Sequence, residues 1–93
     1  MTVRTVHVMI SGLVQGVGYR AWTEREANAR RLSGWVRNRR GGEVEAVFTG
    51  DEADVAAMLF ACHAGPRMAR VSAVDVDERD SAEPGPFRVL PDA

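Results

Sequence analysis

The chain has 93 residues, 45% of them hydrophobic, one cysteine and a formal net charge of −1. That length holds one small core. The lone Cys62 excludes an internal disulfide and suits a reducing compartment. The apolar stretch from Val6 to Val17, broken by His7, Ser11 and Gln15, falls short of the ~20 residues of a membrane span. With no signal-peptide pattern at the start, these features describe a cytoplasmic protein with a single domain spanning residues 1–93. The charge is uneven. Residues 1–40 carry eight arginines against two glutamates, and residues 41–93 four arginines against eleven acids. The basic first half suits an anionic ligand, and equally two ordinary solvated faces.

In chain order, Val6, Val8 and Ile10 alternate with His7, Met9 and Ser11, a strand with one apolar face. The loop GLVQGVGYR (Gly12–Arg20) follows. Residues Arg20 to Leu32 favour a helix, with Trp22 its main apolar anchor. GWVRN opens a second strand, and Gly41–Gly42 marks a hairpin into a third, in which Val44, Ala46 and Phe48 share a face. Asp51 is placed as an N-cap. Val55, Met58, Leu59 and Cys62 form the apolar stripe of a second helix, which Gly65 and Pro66 end. A strand through Val71, Val74 and Val76 changes parity between Ala73 and Val74, which predicts a bulge there. A loop, Asp80 to Pro86, leads to a short last strand at Phe87, Val89 and Leu90. The order β-α-β-β-α-β predicts an α+β, ferredoxin-like sandwich: an antiparallel sheet with two helices on one face and a short C-terminal strand.

The glycine loop joins the first strand to the N-terminus of the first helix. Helix N-termini present unpaired N–H groups with partial positive charge, and glycines let further amides converge. The product is an anion cradle with Arg20 at its rim, a guanidinium fork matched to two phosphate oxygens. The stretch alone reads equally as a turn before a surface arginine. Period two puts Asn38 on the face of Val36, which aims it at the helix layer, near the loop. There it can fix a water beside a bound phosphate, or it can stabilise the hairpin turn.

GLVQGVGYR and GWVRNRRGGEVEAVFTG resemble the two signatures of the acylphosphatases. GPRMARV (Gly65–Val71) and FRV (Phe87–Val89) also fall where that family has matching elements. The resemblance covers nearly the whole chain. It implies hydrolysis of small acyl phosphates to a carboxylate and inorganic phosphate, with no metal and no cofactor, by a monomer. Arg20 would bind the phosphoryl group and Asn38 orient the attacking water. The backbone of Gln15, Gly16, Val17, Gly18, Tyr19 and Arg20 would cradle the phosphate, which as product is also a competitive ligand. The chain departs from the family at Arg39, in place of a small hydroxyl or other polar residue. It departs again at Arg30 and Arg31, where an apolar residue and then glycine are usual. Without that glycine the first helix is expected to end differently, with the Arg30 stem along the core edge and its head in water.

Two other classes compete. One is a non-catalytic phosphate- or anion-binding regulatory module on the same fold. The joint presence of Arg20 and Asn38 favours the enzyme. The other is an RNA-binding sheet, which needs aromatics on the open face. That face is read as His7, Met9, Ser11, Glu43, Glu45 and Val47, whose glutamates repel nucleic acid, so neither nucleic acid nor membrane is an expected partner. Cys62 is placed for packing rather than as a nucleophile. His7 is read as exposed, His63 as a helix-end residue, and Trp22 and Trp35 as packing residues. No cluster has metal-ligand spacing.

Overall fold

A computed structural model describes residues 2–93. Its elements are β1 (Val3–Leu13), α1 (Tyr19–Ala29), β2 (Ser33–Asn38), β3 (Val44–Asp51), α2 (Glu52–Cys62), β4 (Arg70–Arg79) and β5 (Arg88–Val89). The sheet runs β4-β1-β3-β2-β5. The first four strands pair antiparallel, as the alternation predicts. The short β5 lies parallel to β2, which makes the sheet mixed.

Register puts Val6, Val8 and Ile10 opposite Phe48, Ala46 and Val44. All six are fully buried under the helices. Burying each large side chain contributes about 1.5–3 kcal/mol. Helix α2 packs over β1 and β3 through Val55, Met58 and Cys62, and α1 over β2 and β5. The buried residues of α1 are Tyr19, Thr23 and Ala27, one side of the helix at four-residue spacing. Tyr19 donates its hydroxyl to the Cys62 carbonyl (2.6 Å), which ties the two helices together. Trp22 meets Tyr19 edge-on.

Several local expectations change. Helix α1 stops at Ala29, short of Leu32. Despite lacking the glycine, its end has the usual left-handed form. Arg31 adopts φ 58°, while Leu32 N–H donates to Ala27 O (2.9 Å) and Arg31 N–H to Asn28 O (3.1 Å). The Arg30 head pairs with the Glu26 carboxylate (2.7 Å) instead of lying free in water. Asp51 stands at the N-cap of α2 without a side-chain bond to the helix. The Glu52 amide is met by Thr2 O instead (2.9 Å). The bulge in β4 sits at Ser72: Ser11 pairs with Ala73, and the next residue, Gly12, pairs with Val71. His7 is half-buried, against the expectation of exposure, and lies 2.6 Å from Glu45.

Candidate active site

The loop between β1 and α1 is anchored at both ends by buried side chains, Val14 and Tyr19. Between them Gly16 (φ 75°) and Gly18 (φ 80°) take the left-handed conformation that glycine adopts without strain. Open space lies where a side chain at either position would project. Gly18 is the N-cap of α1, with no side chain to cap it. The first backbone bond of the helix runs from Trp22 N–H to Gly18 O (3.0 Å), and among the described residues none of the amides of Gln15 to Arg20 donates to another backbone carbonyl. These are donors of the kind that bind an anion at a helix N-terminus.

Gln15 contributes more than its backbone. Its side-chain amide donates to Arg39 O (2.7 Å) and Glu43 O (2.9 Å), so both protons of one NH₂ group fasten the loop to the β2–β3 hairpin. Asn38, the last residue of β2, therefore faces the loop across a fixed gap. Its residue is 7% exposed, and its Oδ1 is buried with no hydrogen-bond partner. A buried carbonyl oxygen left unpaired is costly, and such atoms are rare in folded proteins.

Arg20, in the first turn of α1, is partly exposed, and its Nη1 donates to Asp92 Oδ1 (3.2 Å). The segment after β5 follows the edge of β2. Leu90 N–H donates to Val36 O and Ala93 N–H to Asn38 O, both at 2.9 Å. The same strand-like run thus holds the Asn38 backbone and brings Asp92 to Arg20.

A cavity of ≈ 280 Å³ joins these groups. Val14, Gln15, Gly16, Gly18, Tyr19 and Arg20 line it from the loop and helix start, and Asn38 from β2. Of the residues singled out in the sequence, only Val17 turns elsewhere, its side chain packing on the core. Sequence reasoning did not include Ala21, Glu24 and Val89, which complete the lining. Glu24 was legible as the residue one helical turn beyond Arg20. Asp92 gave no local signal.

The cysteine offers no rival chemistry, since burial pushes the Cys62 thiol up to about 12. Burial, with the Cys62 contact, also raises the Tyr19 hydroxyl above its ordinary range. Among the described residues no group of three His, Cys, Asp or Glu is placed to hold a metal ion, and no helix is long and apolar enough to cross a membrane.

Comparison with known proteins shows the family. The sequence model of the acylphosphatase family matches residues 6–89. The chain belongs to the acylphosphatase family. An acylphosphatase of Alcanivorax borkumensis is 50% identical over 82 residues, 88% of this chain and 89% of that protein. The solved acylphosphatase of Coxiella burnetii superposes with a TM-score of 0.91 at 34% identity, covering 95% of this chain and 93% of that one. That of Bacillus subtilis gives 0.90 at 32%, covering 96% and 99%. The ferredoxin-like fold and an acylphosphatase activity, hydrolysis of acyl phosphates, follow from these likenesses.

Proposed function

We propose that the protein cleaves small acyl phosphates by direct attack of a water held by Asn38 on a phosphoryl group held by Arg20 and the amides of residues 15–20. The observation that carries this reading is the placement of Asn38, whose Oδ1 is buried and unpaired, in the lining of the cavity that Arg20 also lines. Its side-chain amide, a donor and an acceptor in one group, holds the water and turns the water's lone pair toward phosphorus.

The water oxygen bonds to phosphorus as the bond from phosphorus to the acyl oxygen breaks. The leaving carboxylate, whose acid has a pKa of roughly 4, departs without protonation. The proton from the water ends on a phosphate oxygen, so an acyl phosphate dianion and water give a carboxylate and dihydrogen phosphate. Phosphoryl transfer of this loose kind requires positioning and charge stabilisation more than acid–base groups. Arg20 and the loop amides supply the charge, and Asn38 the position. No step calls on a metal. Inorganic phosphate, the product, competes for the same cradle. We read the chain as a single domain over 1–93, working as a cytoplasmic monomer without nucleic-acid or membrane partners.

The test is phosphate release from benzoyl phosphate with EDTA present, beside glycerol 2-phosphate. The expected result is rapid release from the first and almost none from the second, because an alcohol-type leaving group needs a general acid. Comparable turnover of both, or loss of activity with EDTA and recovery with a divalent metal, overturns the mechanism.

A further inference from the structure

The lining of the cavity is of two kinds. The loop amides and Arg20, the one kind, take the phosphoryl group. The acyl group is left with the other, Ala21 and Glu24 of α1 and Val89 of β5. Val89 is 42% exposed and gives that part an apolar surface. Glu24 gives it a charge.

Glu24 stands four residues after Arg20, on the same side of the helix. That spacing favours an ion pair, yet the Arg20 guanidinium turns to Asp92 instead. Among the described residues Glu24 enters no salt bridge with any arginine. The wall of an anion-binding cavity thus carries an unpaired carboxylate, while Arg20, the only cation among the described residues that line it, shares its charge with a second carboxylate. Of the lining left to the acyl group, Glu24 is the charged side chain.

We propose that Glu24 is a specificity-determining residue that biases the site against acyl groups carrying a negative charge and toward apolar neutral or cationic ones. This rests on the placement of the phosphoryl group described above. Charges several ångströms apart at a half-exposed site interact weakly, so the bias is on the order of threefold for each unit of acyl charge at low salt. Its effect on the phosphoryl group is common to all substrates and cancels in the ratio between them.

Three rigid acyl phosphates of similar size test it: benzoyl phosphate, its 4-carboxy derivative and its 4-aminomethyl derivative. The readout is the ratio of kcat/KM between them in the wild type and in Glu24→Gln. Intrinsic lability cancels when one ratio is compared across variants, and a uniform loss from misfolding leaves every ratio unchanged. In Glu24→Gln the cationic-to-anionic ratio should fall about tenfold, and in Glu24→Lys it should fall further. In 0.5 M NaCl the wild-type ratio should shrink toward that of Glu24→Gln. An unchanged ratio in both variants, or a parallel loss on all three substrates, overturns the role of Glu24 alone. A wild type that hydrolyses none of the three removes the hydrolase reading itself, and this inference with it.

Discussion

Two polar regions of the molecule treat their hydrogen-bonding groups in opposite ways. On the open face of the sheet, Glu45 is only 7% exposed and is met by donors. His7 Nε2 lies 2.6 Å from one carboxylate oxygen, and Arg37 Nε (2.7 Å) and Arg39 Nη1 (3.3 Å) reach the other. The Arg37 guanidinium also covers the Trp35 ring at 4.8 Å. Thr49 Oγ1 is bonded by both Thr5 and the Glu83 amide (3.0 Å each). The hollow there is ≈ 560 Å³, against ≈ 280 Å³ beneath the glycine loop. Asn38, whose Oδ1 is unpaired, lines the smaller cavity. Size is therefore a poor guide to chemistry here. Hydrogen-bonding capacity held ready by the fold, and left unspent, separates the reactive region from the structural one.

The largest expected effect tests that contrast arginine against arginine. Arg20→Ala should reduce kcat/KM on the order of 10³-fold, with weaker phosphate inhibition, because the developing charge loses its fork. Arg37→Ala should keep turnover within about twofold of wild type and lose thermal stability, since it leaves Glu45 with fewer donors. Steady-state kinetics with a thermal melt on each variant decides. Equal kinetic damage from both would erase the distinction between the regions.

Next comes Asn38. Asn38→Ala should lower kcat about 10²-fold and leave the phosphate inhibition constant within about threefold, because only the nucleophile is misplaced. If phosphate affinity falls as far as in Arg20→Ala, Asn38 belongs to the cradle and another group orients the water. Gln15→Ala should have a milder effect, about tenfold in kcat, by freeing the loop from the Arg39 and Glu43 carbonyls. Gln15→Glu places a carboxylate against both carbonyls, so its turnover relative to wild type should rise as pH falls and the new acid protonates.

The open face predicts a pH effect on stability instead. Burial pushes the Glu45 carboxyl up, but hydrogen bonds from His7 and Arg37 outweigh it, and its pKa lies below the ordinary value. With the folded pKa lower, the unfolded chain binds more protons as pH drops through the carboxylate range. The stabilisation is thus complete above the unfolded pKa, near 4.3, and disappears as pH falls through the folded value. Melting temperatures from pH 6 to 3 should fall less steeply for Glu45→Gln than for the wild type. Parallel slopes would show that this network adds no pH-linked stability.

What the sequence made legible follows from the range of each signal. Period two exposed the Val6–Val8–Ile10 face and put Asn38 beside Val36, and the 3.6-residue stripe marked α2. These patterns are local. The Arg20–Asp92 pair spans 72 residues and the His7–Glu45 pair 38, and nothing in either neighbourhood announces its partner. Glu45 read as a repulsive surface acid because the arginines that neutralise it approach across strands. The parity change in β4 revealed a bulge, but which residue is extra depends on pairing with β1, so Ser72 was not identified. The same limit hid the parallel pairing of β5.

The smallest expected effect lies outside both regions and tests whether left-handed backbone matters only where glycine holds it. Gly16 and Gly18 adopt positive φ at the site without strain, whereas Arg31 adopts φ 58° at the end of α1 with a full side chain. An L-residue in that conformation costs roughly 1–2 kcal/mol relative to its preferred state, and glycine does not incur this. Glycine also raises the entropy of the unfolded chain, which returns part of the gain. Arg31→Gly should therefore raise stability by about 0.5–1 kcal/mol in denaturant unfolding, with an unchanged slope and unchanged turnover. Gly16→Ala moves in the opposite direction at the same kind of backbone position. It should lose about 1 kcal/mol and also weaken phosphate inhibition, because the amides that face the anion shift with the strained loop. A stability loss in Arg31→Gly would mean that the side chain there contributes more than its backbone conformation costs. Unaltered phosphate inhibition in Gly16→Ala would mean that the loop amides do not define the cradle.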